Sequence, residues 1–454
     1  MGVPSKATSL SSPSVRNKVL MLAWPAIIDR FLHMSVNMVD TAMVGRLGAS
    51  ALAAAGLGAQ IMMIATSLFA SITTGTTALV ARCTGAVEYE EANKVARQSL
   101  VLGGGLALVA SLFFVFLANP LVKVLFPKAA PDVLAGAAIY VRIVGLGVIP
   151  QFLFVMSNAA LRGAGDTKTP MFTTGVTNIS NVICNYLLIF GAAGFPRLGL
   201  LGAAISTTVA HFLGASVALS ALYSGKKAVH LRLRDDYRPD VETLRRILNI
   251  SIPAGMEQGV IRVGQMAFTM ILSSLGTVAF ASHRIALQTE NLSFIAGAGF
   301  ALAATSLVGQ ALGAGDPKEA ERVGLEAARI AACIMGFMGL LFLLFPRALV
   351  SIFTTDPEVI DHSTVVIRIV AISQPFMAFQ RVLSGALRGA GDTRSVMIIS
   401  LLGICGIRLI LAHWLVTLGY GLVGAWVAMS IDLTVRGCLL YWRFRHGSWK
   451  KVVV

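Results

Sequence analysis

Four polar side chains, Asp29, His33, Asn37 and Asp40, recur at i, i+4, i+8 and i+11 in an otherwise apolar stretch. At about 100° per residue that spacing confines them to an arc of about 80° on one side of a helix. An ionisable side chain in mid-membrane costs roughly 2.5–3.5 kcal/mol even on lenient insertion scales, so such a group usually faces a cavity and works there. A carboxylate so placed could take up a cation or a proton on one side and release it on the other. Asn178, Asn181 and Asn185, at i, i+3 and i+7, make a second polar face. Amide oxygens can ligate a hard cation and amide N–H groups can hold a carboxylate, so three of them near one Asp form a candidate coupling site. Later in the chain come Glu257, Gln258, Arg262 and Gln265, then Arg284, Gln288 and Glu290. Gln258, Arg262 and Gln265 share a helix face, and Glu290 is expected either to face a central cleft or to pair with Arg262. Asp432 and Arg436, four apart, read as an intrahelical pair.

These groups need elements to hold them. Of the 454 residues 56% are hydrophobic and only 13% charged, against roughly a quarter charged in soluble domains. Apolar stretches long enough to cross a hydrocarbon core of about 30 Å recur from end to end. They start near Val19, Ala51, Ala92, Val133, Thr169 and Gly199, then near Leu244, Thr277, Ala320, Val359, Ser395 and Gly421. The expected fold is an all-α polytopic membrane protein of twelve transmembrane helices, with both termini on one side. The net charge of +15 is spread unevenly: the tails and inner loops hold 24 Lys and Arg, the outer loops five. That asymmetry predicts cytoplasmic termini and a plasma (inner) membrane protein, and it accounts for the basic balance without nucleic acid. The first eighteen residues show no apolar core ahead of a cleavage site, so no cleaved signal is expected. The five cysteines have neither metal nor disulfide spacing and read as packing residues. No GxxxxGK[ST], HExxH or GxSxG setting is present, so an ion gradient rather than ATP is the expected energy source, with no cofactor and no enzyme activity.

The string ALRGAGDT occurs at Ala160–Thr167 and again at Ala386–Thr393, 226 positions later. Pro25 and Pro253, Gly48 and Gly276, and Gly85 and Gly313 are each 228 apart, and Gly202 and Gly424 are 222 apart. Each half has an even number of spans, so the two six-helix lobes are expected to be related by a parallel pseudo-two-fold repeat, with the substrate path between them. The expected divisions are a cytoplasmic tail at 1–18, lobes at 19–223 and 244–446, a hydrated linker at 224–243 free to flex, and a tail at 447–454. The Gly and Asp-Thr of the repeated string suit a tight helix exit and a capped entry, with the Arg at headgroup level.

Taken in order, NMVDTAMVGRLG (Asn37–Gly48), NYLLIFG (Asn185–Gly191), GLLGAAISTT (Gly199–Thr208), LVGQALGAGD (Leu307–Asp316) and the paired RGAGDT loops resemble the multidrug and toxic compound extrusion (MATE) transporters over nearly the whole chain. The resemblance implies two lobes meeting in a V and cation-coupled export of organic, commonly cationic, compounds. It carries the amino-lobe coupling site to Asp40, Asn181, Asn185 and Thr207, and a functional acid to Glu257. Asn37, Gln258, Arg262 and Glu290 are the further candidates for the substrate cleft. Asn185 stands where many proton-coupled relatives have a second Asp, which leaves Asp40 as the one clear carboxylate of the cluster and weakens tight sodium binding, and the tenth helix, with Gln374, Gln380 and Arg381, lacks the acid of some sodium-coupled relatives. A proton is therefore favoured as coupling ion, with sodium at Asp40, Asn181 and Asn185 as the alternative. The expected partners are small organic substrates and the bilayer, with the chain a monomer. The competing function is a lipid-linked saccharide flippase of the same superfamily, for which intramembrane Arg30, Arg142, Arg262, Arg284, Arg368 and Arg381 would hold pyrophosphate.

Overall fold

The structure, a computed structural model, describes residues 14–232 and 234–452, apart from the side chains of residues 64, 65 and 68; most of the expected leading tail lies outside it. The described chain is all helical. Its helices are α1 (Val15–Gly45), α2 (Ala49–Gly85), α3 (Tyr89–Leu125), α4 (Pro131–Leu146), α5 (Val148–Gly163), α6 (Lys168–Phe190), α7 (Leu200–Tyr223), α8 (Val241–Ser273), α9 (Thr277–Gly313), α10 (Pro317–Leu344), α11 (Pro346–Ser351), α12 (Pro357–Gly389), α13 (Thr393–Leu401), α14 (Ile410–Leu415) and α15 (Gly421–His446). Among the described residues seven helical stretches are long and apolar enough to cross a membrane, and eight if a bent pair is one span.

Local chemistry explains the boundaries. Asp316 and Asp356 accept hydrogen bonds from N–H groups of the first turns of α10 and α12, each followed by a proline that gives up no needed donor. In the repeated string, Gly165 and Gly391 take φ of +87° and +86°, which side chains resist, and end α5 and α12. Asp166 and Asp392 then accept from the N–H of Thr169 and Ser395 at 2.9 and 3.3 Å, so the tight exit and capped entry are present in both copies.

Two elements depart from uninterrupted spans. The fourth is bent by 49° between α4 and α5. Gly147 sits at that joint, where a Cβ would lie 3.0 Å from the Thr208 hydroxyl of α7. The eleventh is opened by π-helical turns over Leu402–Leu409 and Val416–Tyr420.

The two largest buried apolar clusters each take in the start of a helix from the other half of the sequence. Val19 and Ala23 of α1 are buried in an apolar cluster otherwise drawn from residues after 267, whereas Ile247 and Ile250 of α8 belong to the cluster of α2–α5. Ion pairs repeat the exchange: Lys18 meets Glu319 at 3.3 Å and Arg246 meets Glu91 at 2.7 Å, equivalent positions in the two halves. At one end of the bundle α2 and α9 cross so closely that a Cβ on Gly85 would stand 2.0 Å from the Gln310 carbonyl oxygen, and one on Gly313 1.9 Å from that of Arg82. Ser306 Oγ and Gln310 Nε2 donate across the halves to the carbonyls of Arg162 and Gly163 at 2.7 and 2.9 Å. This end is sealed. At the opposite end Ser50 bonds Asp132 and Arg347 pairs with Asp361, each within its own half.

The linker corrects the expectation of a free, hydrated strand. Val229 and Leu231 are buried, and the segment is pinned along the start of α3. His230 N–H donates to Asn93, Gln98 bonds the backbone of Arg238 and Asp240, and Arg97 and Lys94 pair with Asp235 and Asp240 at 2.9 and 2.8 Å. The hydrogen bond from Lys94 pulls the Asp240 carboxyl down to about 2.

Candidate functional site

The α1 stripe meets the polar face of α6 along a series of parallel rungs. Thr174 Oγ1 donates to Asp29 at 2.6 Å, Asn178 Nδ2 to the Leu32 carbonyl at 2.7 Å, and Asn185 Nδ2 to Asp40 Oδ1 at 2.6 Å. The spacing of 145 residues is the same at the first and last rungs, so the faces run in register. Asn185 Nδ2 also reaches Asn181 Oδ1 at 3.0 Å, while Asn185 Oδ1 is buried with no partner. Both amides are nearly inaccessible, and Asp40 is half-buried. The bond between Asn185 and the carboxylate is charge-assisted, the stronger class, so it ties α6 to α1 most firmly while Asp40 carries its charge.

The half-buried Thr207 of α7 spends its proton on the Ala203 carbonyl at 3.0 Å. Beside it stands Tyr140 of α4, within electrostatic reach of Asp40. Its ring fits because residue 58 is glycine, where a Cβ would be 2.5 Å from Tyr140 Cδ1. Neither Tyr140 nor Gly58 stood out in the sequence. An isolated Tyr in an apolar span carries no periodic signal.

Other candidates go elsewhere. Asn37 is exposed and its amide bonds the His33 carbonyl of its own helix at 2.8 Å, outside the Asp40 cluster. Gln258 is half-buried, and Arg262 and Arg284 are exposed. Glu257 corrects the expectation of a cleft-facing acid. It is 1% exposed, forms a two-pronged pair with Arg388 at 2.7 and 2.8 Å, and accepts from Ser400 at 3.2 Å. Glu290 is buried and makes no ion pair with Arg262; the cationic groups acting on it are Arg408 and Arg381. Asp432 does pair with Arg436, at 2.7 Å, but also with Arg408 of the first π-helical stretch at 2.8 Å. Asp29, whose setting the sequence left open, sits beside Arg162 at 3.6 Å and His33 at 4.0 Å.

Among the described residues no three His, Cys, Asp or Glu side chains gather as metal ligands, and the five cysteines are free. The Asp40 cluster offers one carboxylate on α1 that a single amide links to α6.

The profile described as MatE matches residues 25–187 and 253–414, two segments whose starts are 228 positions apart. The "Probable multidrug resistance protein NorM" of Thermotoga maritima is 32% identical over 446 residues, 97% of this chain and 95% of the relative. The "Uncharacterized transporter YisQ" of Bacillus subtilis is 29% identical over 98% and 97%. Among solved structures, a MOP superfamily transporter from Pyrococcus furiosus superposes with a TM-score of 0.89 at 22% identity, covering 100% of both chains. The Vibrio cholerae MATE transporter VcmN in its bent form gives 0.88 at 22%, covering 96% and 97%. The same fold, a family profile that fits each half in turn, and a relative alike from end to end place this chain in the MatE family of membrane transporters.

Proposed function

We propose that this transporter is a proton-coupled antiporter that exports amphipathic, cationic organic compounds by alternating access. In this reading twelve spans form two lobes: α1, α2, α3, α4 with α5, α6 and α7, then α8, α9, α10, α12, α13 with α14, and α15. Both termini are cytoplasmic and the membrane is the plasma (inner) membrane. The sealed end is also the end richest in Lys and Arg, so positive-inside charge supports an outward-open form.

The observation that carries the reading is the Asp40–Asn185 bond at 2.6 Å. Sodium would need several oxygens turned inward. Here Asn185 turns its N–H to the carboxylate, and Asn181 Oδ1 is already engaged by the same amide. A proton needs only Asp40. Its uptake removes the charge that holds α6 to α1, which favours another packing of the lobe, and a drug that prefers the opposite state is released. The name of the Thermotoga maritima relative supports a drug cargo.

The test is dye export from vesicles in sodium-free buffer under an imposed pH gradient. Transport is expected; none there, with full recovery on adding sodium, overturns the proton assignment. The exposed Arg262 and Arg284 favour a second reading, a flippase for a lipid-linked saccharide. It requires translocation of a pyrophosphate lipid that competes with dye, and no such competition is expected.

A further inference from the structure

In both copies of ALRGAGDT the arginine turns back into the bundle instead of out to the headgroups. Arg162 ends α5 beside Asp29 at 3.6 Å, and Arg388 ends α12 against Glu257 at 2.7 Å. The two acids are 228 positions apart, each four residues after the proline of its helix, and the arginines are 226 apart. A third partner repeats as well. Thr174 donates to Asp29 at 2.6 Å and Ser400, 226 positions on, to Glu257 at 3.2 Å. Acid, arginine and hydroxyl thus come from equivalent places in each half, although the acid is Asp in one and Glu in the other. Asp29 and Glu257 are 2% and 1% exposed.

A buried ion pair is weak ground for stability, because desolvation offsets most of the attraction. Its presence in both halves asks for another use, and position supplies one. The Arg162 and Gly163 carbonyls are the acceptors that Ser306 and Gln310 of the other half use to seal the bundle. These helix ends have no slack: a Cβ on Gly163 would be 2.8 Å from the Thr77 carbonyl oxygen, and one on Gly389 2.1 Å from that of Thr305.

We propose that Asp29 and Glu257 are twin positioning residues of the seal, each holding the arginine that ends a neighbouring helix and so fixing where the two halves lock. Asp29 acts directly on the acceptors of the interhalf bonds. Glu257 sets the equivalent end of α12, which backs Gly309 of the same half: a Cβ there would lie 3.1 Å from the Gly389 oxygen on one side and 2.8 Å from Cβ of Ala81 in the other half on the other. His33 and Arg30 on α1 and Arg162 on α5 are the charged groups around Asp29, so removing the acid leaves only positive or neutral neighbours.

This rests on the alternating-access reading, and one experiment separates the two. Spin labels at Glu88→Cys and Lys318→Cys, in a background without the native cysteines, report the distance across the sealed end. Asp29→Asn and Arg162→Gln are each expected to raise the open-seal population by roughly 5- to 150-fold. The double variant should do no more than the worse single, because the pair acts as a unit. Asp29→Glu, which keeps the charge, should resemble the wild type. Should Asp29→Asn fail to accumulate, Thr174→Val keeps both charges and carries the measurement with a smaller shift in the same direction. A wild type that never samples a second distance, with or without dye or a change of pH, refutes alternating access itself. A wild type that samples two, with folded variants that distribute identically, overturns the positioning role alone.

Discussion

The crossing of α2 and α9 offers a perturbation whose size follows from distances. In Gly313→Ala the new methyl would begin 1.9 Å from the Arg82 oxygen, 2.8 Å from its carbonyl carbon and 3.0 Å from the Ala86 nitrogen. All three are main-chain atoms, so no rotamer relieves the contact, and the helices must part by about 1 Å or more. Overpacking of this kind costs typically 1–3 kcal/mol. The cost falls on the sealed conformation alone, whereas the gain in helix propensity from Gly to Ala is common to both and cancels. A bias of that size moves the equilibrium towards the opened seal by about 5- to 150-fold. Gly85→Ala, at 2.0 Å from the Gln310 oxygen, should act alike, and the double variant should fall short of additivity because the two contacts lie in one crossing. The Glu88/Lys318 label pair reads the distance directly, and labelling of the sealed end by an impermeant thiol reagent gives a second measure. Unchanged distance distributions in folded Gly313→Ala protein would refute the reasoning, since they would mean that the crossing is not the seal.

Three further outcomes are expected. Asp40→Asn should abolish gradient-driven export while expression and thermal stability in detergent stay near wild type, because the neutral isostere keeps a hydrogen bond with Asn185 but cannot change charge; robust coupled transport by that variant would remove Asp40 from the mechanism. Asp432→Asn should lower stability by about 3–5 kcal/mol, seen as a large drop in Tm, because Arg408 and Arg436 then lose the buried carboxylate that both pair with. The Asp240 carboxyl is depressed to about 2, so its hold on the linker is present in full above the ordinary carboxylate value near 4 and fades only as pH falls towards 2. The protection factors of the linker amides, that is, their exchange relative to the intrinsic rate at each pH, should accordingly change little from pH 7 to 4, and in Lys94→Ala the loosening should begin at higher pH. An unchanged acid profile in Lys94→Ala would count against the ion pair as the cause.

Spacing alone located the polar faces of α1 and α6 that meet at Asp40. Asp40 and the three asparagines lie where helical periodicity puts them, because the register of polar residues in an apolar helix reports which side avoids lipid. The duplication was equally plain, since Gly85 and Gly313 or the two ALRGAGDT strings need only be counted. Pairing was not legible. Glu257 and Arg388 are 131 residues apart, and a period says which side a residue faces but not what it meets there. Arg408 reaches Asp432 from a π-helical turn, an i+5 pattern that tertiary contacts stabilise and that composition does not encode. The linker misled for a related reason. The seven Lys and Arg between Ser224 and Arg246 counted as topology signal, but Asn93, Lys94, Arg97 and Gln98 on the facing helix turn the linker into a strap.

The exchanged leading ends of α1 and α8 bear on how the protein is made. Val19 and Ala23 are made early, yet the cluster that buries them is otherwise drawn from residues after 267, well over two hundred positions later. Until then the start of α1 has no permanent neighbour, and Lys18 lacks Glu319. The first half is therefore not an autonomous folding unit, because its opening helix is completed only when α9 and α10 have been inserted. The second half has the converse need, since Ile247 and Ile250 finish a core that belongs to α2–α5. Such long-range closure is slow and leaves apolar helix ends transiently uncovered. Two halves synthesised as separate chains should accumulate only when made together, each acting as the other's last folding step.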